Sequence, residues 1–212
     1  MGVVALGLLG GPALSGCASE GNPDNANGGH GPILRKLWDV PTGYVGDYDY
    51  VHAVWVMDDR IVRVSNMSLE AIRLSDGHSM YFRQLDYPPS ASRALDSQDR
   101  GLVDGSTYDA RTGTDLNPMG GGDGQKFVAR EPGVTRQPIQ EWRKKGHKYN
   151  SFTVQDPATG KIVGRYSVPE LNFIAKGKVD KCFGIRLKDG RIVLVASDNV
   201  GDYLAAAYRA PE

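Results

Sequence analysis

Residues 54–77 read VWVMDDRIVRVSNMSLEAIRLSDG. Two short runs rich in Val, Ile and Leu are broken by Asp58-Asp59, and a third ends at Ser75-Asp76-Gly77. Short β-branched runs bounded by polar turn residues predict three short strands. Parts of this unit recur. Tyr108-Asp109-Ala110-Arg111-Thr112-Gly113 and Gln155-Asp156-Pro157-Ala158-Thr159-Gly160-Lys161 echo its closing turn. Asp189-Gly190-Arg191-Ile192-Val193 echoes Asp58-Asp59-Arg60-Ile61-Val62. Asp59 and Gly190 lie 131 residues apart, about 44 for each of three repeats. The turn glycines at 77, 113 and 160 are 36 and 47 residues apart, so the middle repeats are degenerate.

The segment Ser68-Leu69-Glu70-Ala71-Ile72 followed by Ser75-Asp76-Gly77-His78 resembles the repeat of PQQ-like, quinoprotein-type β-propellers. That family commonly carries Trp on the strand after the turn. Leu37-Trp38-Asp39-Val40-Pro41 fits, Arg165-Tyr166-Ser167-Val168-Pro169 fits with Tyr, and Tyr81 is a third copy. Trp38 and Tyr166 are 128 residues apart, about 43 per repeat over three repeats. The resemblance implies an all-β, propeller-like array of about four four-stranded blades over residues 33–212. The first strand, Ile33–Val40, is of the outer type, and the last, Tyr203–Tyr208, is of the type preceding it. An N-terminal outer strand completing the last blade would close a small ring and cover its edges. The alternative is an incomplete arc that pairs with another chain.

Val3–Leu14 is an apolar run of about 12 residues, the length of a signal h-region and too short to span a bilayer. It leads into Leu14-Ser15-Gly16-Cys17, which resembles the lipobox of bacterial lipoproteins, although no Lys or Arg precedes Cys17. The resemblance implies a signal peptide over 1–16, lipidation of Cys17, and a protein exported to the cell envelope and anchored to the outer face of a membrane. Ala18 is not the Asp that retains some lipoproteins in an inner membrane. The other reading is an unprocessed apolar N-terminus with a buried cysteine. Residues 17–32, rich in Gly, Asn and Pro, predict a flexible tether, with His30 a linker residue.

The chain has 25 Lys+Arg against 25 Asp+Glu, so no global basic field exists to hold a nucleic acid backbone. Its 27 Gly and 12 Pro suit many tight turns and not long helices. Catalytic groupings are not expected. His30, His52, His78 and His147 fall in no metal-ligand spacing, and no G-x-S-x-G elbow occurs. Asp47-Tyr48-Asp49-Tyr50 lacks the glycine and terminal Glu of a calcium loop. Met119–Lys126, a Gly-rich run, lacks the Gly-Lys-Ser/Thr order of a phosphate loop and opens an irregular excursion over 119–148. Cys182, in an apolar run, reads as a core residue.

Arg143, Lys144, Lys145 and Lys148 form a local basic cluster. It is either a solvated face or a contact for anionic headgroups or an acidic partner, worth about 1 kcal/mol per residue near such a surface. Quinoprotein dehydrogenases carry adjacent cysteines and calcium-binding acidic residues that have no match here, so no cofactor or metal is expected. The resemblance implies the non-enzymatic side of the family, in which loops and a channel mouth bind an unidentified protein or small molecule. The alternatives are a quinone-dependent or hydrolytic enzyme and a degenerate or truncated paralogue without ligand.

Overall fold

The computed structural model describes residues 29–42, 50–86, 90–117, 126–171, 179–198 and 203–211. All regular elements among them are β-strands. In chain order these are β1 (Arg35–Thr42), β2 (Val51–Val56), β3 (Arg60–Ser65), β4 (Ser68–Arg73), β5 (Ser79–Gln84), β6 (Arg100–Val103) and β7 (Ser106–Asp109). Then follow β8 (Gln137–Pro138), β9 (Gln140–Lys144), β10 (His147–Gln155), β11 (Ile162–Pro169), β12 (Val179–Arg186), β13 (Ile192–Asp198) and β14 (Tyr203–Arg209).

The stretch that opened the sequence reading, with the strand after it, folds as an antiparallel meander, β2-β3-β4-β5. The remaining strands do not divide into further four-stranded sheets. The described residues form sheets of eight, four and two strands. The eight-stranded sheet runs β1-β14-β13-β12-β10-β11, with β8 on β12 and β9 on β10. It joins what the repeats predict as two separate blades, through a single parallel pair, Gln155 with Ile185.

The two-stranded sheet β6-β7 is flanked by single bridges, Ala91 to Val103 and Tyr108 to Asp115. A four-segment meander is thus present there in reduced form. The excursion expected over 119–148 contains β8, β9 and the start of β10. The expected pairing of the N-terminal strand with the last strand is present: β1 runs antiparallel to β14 from Arg35↔Arg209 to Thr42↔Tyr203.

Burial explains the continuous apolar runs. Every residue of β13 is buried, and alternate side chains serve different cores. Ile192, Leu194 and Ala196 face Phe152, Val154 and Val168 of β10-β11. Val193 and Val195 face Val54, Ile61 and Ile72 of the four-stranded sheet. Ala53, Trp55, Val62, Val64, Leu69 and Ala71 on that sheet's other side pack against Leu95, Val103, Tyr108 and Ala110 beside the two-stranded sheet. The sheets therefore stack face to face, and an inner sheet needs apolar side chains on both faces, as a half-exposed sheet does not.

The last residues of the segment expected as a flexible tether, 29–32, are held against the fold. Arg165 donates to the Gly29 carbonyl, the Ser167 hydroxyl to His30, and the Ser167 amide to Pro32, so the chain is fixed to β11 from Gly29 onward. A backbone donor on the edge strand β11 needs an acceptor, and the Pro32 carbonyl supplies it for the Ser167 amide. His30 is no free linker residue: its ring stacks on Trp142 at 4.6 Å. No helix among the described residues is long and apolar enough to cross a membrane.

Candidate functional site

One five-residue turn is built three times. The amide of Gly77 donates to Arg73, that of Gly113 to Asp109 and that of Gly160 to Asp156, at 2.9, 2.8 and 2.7 Å. Each of these glycines has positive φ. Asp109 and Asp156 cap their turns by accepting backbone N–H bonds through Oδ1. The Asp156 carboxyl is held below the usual carboxylate range chiefly by the Thr159 amide, against a small burial cost. Each turn glycine is covered by a side chain from elsewhere. A Cβ on Gly77 would lie 2.7 Å from the Trp38 ring, one on Gly113 2.7 Å from the Tyr81 ring, and one on Gly160 2.8 Å from Pro132. Trp38 Nε1 donates to the Leu74 carbonyl and the Tyr81 hydroxyl to the Ala110 carbonyl, the same position of the turn.

A second turn also repeats. Arg60 binds Asp59 through two N–H groups and reaches the Arg111 carbonyl. Arg191 binds Asp189 and reaches the Leu74 carbonyl. The hydrogen bonds from Arg60 and Arg191 hold the Asp59 and Asp189 carboxyls low. The backbone turn has a third copy at Asp96–Arg100, where Arg100 binds Asp96 instead of the residue before it; Gly101 follows where the others have Ile, so the local pattern does not mark it. The structure gives the reason: a Cβ there would strike the Trp55 indole.

These turns converge. Met57-Asp58 from the four-stranded sheet, Asp99 and Arg111 from the ends of the two-stranded sheet, and Pro157-Ala158 with Leu187-Asp189 from the eight-stranded sheet line one cavity of about 780 Å³. The segment 130–134 completes its wall. Val54, Val56, Leu74, Leu95, Val134 and Leu187 supply apolar lining. The charged lining is partly paired. Lys188 meets Asp58 at 2.9 Å and Arg191 meets Asp189 at 2.7 Å. Asp99 receives Arg111 at 2.7 Å and Arg130 at 3.0 Å, one guanidinium on each oxygen. The volume falls within the roughly 300–1,000 Å³ of small-molecule sites, and an apolar interior with a few fixed charges is what orients a bound ligand. Nothing in the sequence alone marked these residues as neighbours, since they come from turns far apart along the chain.

The sequence-predicted residues lie elsewhere. Arg143, Lys144 and Lys145 are exposed at the tip of the β9-β10 hairpin, and Lys148 pairs with Glu170 at 2.8 Å. Cys182 is a buried free thiol whose pKa burial pushes up to about 12, which makes it unreactive. Cys17, Asp47 to Asp49 and Met119 to Gln125 lie outside the described residues. Among the described residues no group of three or more His, Cys, Asp or Glu is placed to hold a metal ion.

The fold and cavity define an all-β assembly of face-stacked antiparallel sheets whose turns meet at one site. No protein-family model matches the chain, and no curated protein does. Among solved structures it is similar to the glutaminyl cyclase of Myxococcus xanthus, with 10% identity and a TM-score of 0.37 over 85% of this chain and 100% of that one. It is also similar to the computationally designed Ika4 protein, with 12% identity and a TM-score of 0.31 over 83% of this chain and 99% of that one. Likeness at this level carries no function across.

Proposed function

We propose that this chain is a non-catalytic binding module of the bacterial cell envelope, held at a membrane by a lipid on Cys17, that takes its ligand in the cavity where the turns meet. The observation that carries this reading is the convergence of turns from all three sheets on one apolar cavity with a charged rim. The domain is read as a small ring of four units: β2-β5; β6-β7 with Ala91 and Asp115; β9-β11; and β12-β14 completed by β1. The supports are the repeated turn and its cover. Trp38 of the last unit covers Gly77 of the first, and Tyr81 of the first covers Gly113 of the second. Pro132, before the third unit, covers Gly160 within it, and Phe152 of the third lies against Gly184 of the fourth.

The basic hairpin tip fits a domain hung close to its anchor. Trp142 stacks on His30, where the tether meets the fold, and Arg143, Lys144 and Lys145 come directly after it. Anionic headgroups would favour that side facing the membrane. Two measurements test the reading. Cys17→Ser should move the protein from the membrane fraction to the soluble one, and unchanged fractionation sinks the anchor. Native mass spectrometry of the protein mixed with host extract should recover a ligand chemically unchanged, whereas conversion of the bound compound would make it an enzyme.

A further inference from the structure

Resting on the cavity reading above, the geometry points to a particular ligand class: an organic anion with an apolar body, its charged group held between Arg111 and Arg130. These two arginines approach from separate segments, one from the turn after β7 and one from the segment before β8. Both are drawn to one carboxylate, Asp99, which is 23% exposed, while their own side chains are 58% and 57% exposed. Two cations therefore share one anion, and each guanidinium keeps N–H donors open to the cavity mouth. A guanidinium presents five N–H donors in a planar fork suited to carboxylate, sulfonate or phosphate oxygens.

Two of the other rim cations already have partners. Lys188 is matched to Asp58, and Arg191 is held by Asp189 and by the Leu74 carbonyl. Counting every charged side chain on the lining, Arg93, Arg111, Arg130, Lys188 and Arg191 face Asp58, Asp99, Glu131 and Asp189, a surplus of one positive charge. The apolar side chains deeper in, among them Val56 and Leu187, have no polar partner to offer a small inorganic ion. They suit the body of a ligand whose anionic end stays at the mouth. Asp99 has positive φ, and its loop carbonyl accepts from Ala110, so the carboxylate that spaces the two arginines is fixed by the backbone.

The test uses two fluorescent probes that share one ring system. 8-Anilinonaphthalene-1-sulfonate carries a sulfonate, and N-phenyl-1-naphthylamine lacks it. Each is titrated into the full chain carrying Cys17→Ser. The anionic probe should bind at one saturable site and about tenfold or more tighter than the neutral one. Arg111→Gln and Arg130→Gln should each weaken the anionic probe severalfold and leave the neutral probe unchanged. Ala158→Trp, at an exposed position on the cavity wall, should weaken both probes by narrowing the mouth. Near-UV circular dichroism checks that each variant is folded. Equal affinities for the two probes, with no effect of either arginine, overturn the anion inference while Ala158→Trp still reports on the cavity. Binding that Ala158→Trp leaves untouched overturns both this inference and the cavity reading beneath it.

Discussion

Gly77 and Gly146 share a backbone conformation, with φ of 77° and 83°, but not an environment. A Cβ on Gly77 would strike the Trp38 ring, whereas one on Gly146 would meet nothing within 4 Å. Gly146→Ala should therefore cost only the left-handed penalty of about 1–2 kcal/mol. Gly77→Ala adds displacement of the indole and should cost about 3 kcal/mol or more. Equilibrium urea unfolding of the two variants measures the difference, and equal losses would mean the Trp38 contact contributes nothing. The companion hydrogen bond matters less. The Leu74 carbonyl accepts from Arg191 as well as from Trp38, so Trp38→Phe leaves no orphaned acceptor and should cost about 1 kcal/mol. Asp156 makes a pH prediction. Its folded pKa is depressed, so its stabilisation is present above the ordinary carboxylate value and is lost as pH falls through the folded one. Asp156→Asn keeps an oxygen for the Ala158 and Thr159 amides but cannot titrate. Its stability should fall less than wild type on acidification below about pH 4, followed by urea unfolding at each pH.

Among the elements, β1 has the largest structural consequence for its length. It is an edge strand, yet it covers β14, which is buried from Tyr203 to Tyr208, and it delivers Trp38 to Gly77. A chain beginning at Gly43 would present β14 as an open edge rich in alanine, a template for pairing between molecules. Such a chain should associate in light scattering, and a synthetic peptide of residues 29–42 in excess should return it to monomer. A monomer without the peptide would mean that β1 is dispensable for closing the sheet. This pairing was legible in the sequence, because Trp38 marked the first strand as an outer one and Tyr203–Tyr208 read as the type of strand that precedes it. The turns at 77, 113 and 160 were legible for a similar reason: a left-handed glycine after a capping residue is a local requirement. What was not legible depends on distant contacts. One parallel pair at Gln155 and Ile185 turns two expected blades into one sheet. Pro132, not an aromatic, covers Gly160. The cavity is assembled by turns whose proximity no local pattern encodes.

Taken as a whole, the molecule is unevenly held. Three apolar cores follow in sequence, one between the β10-β11 and β12-β14 parts of the eight-stranded sheet, one between β12-β14 and β2-β4, and one on the far side of β2-β4. Between the two-stranded sheet and β10, contact runs through the segment 130–134: Gly133 lies against the Arg93 carbonyl, the Arg130 amide bonds to Leu95, and Arg130 pairs with Asp99. Exposed ion pairs of that kind contribute about 0–1 kcal/mol each, far less than buried apolar area. Arg63, fully buried under the Tyr203 ring at 3.8 Å, ties β3 to β14 on the strong side. Local opening should follow this gradient. Hydrogen exchange should be slowest for β13, buried throughout, and its neighbours β12 and β14, and fastest for β6 and β7, which have two strands and isolated bridges for support. The cavity draws lining from both regions, Leu187 from the firm side and Asp99, Arg111 and Arg130 from the soft one. A ligand that bridges them should therefore slow exchange in β6-β7 more than in β13. Uniform protection across all sheets would mean the molecule opens only globally, and that the weak seam is held by more than its polar contacts supply.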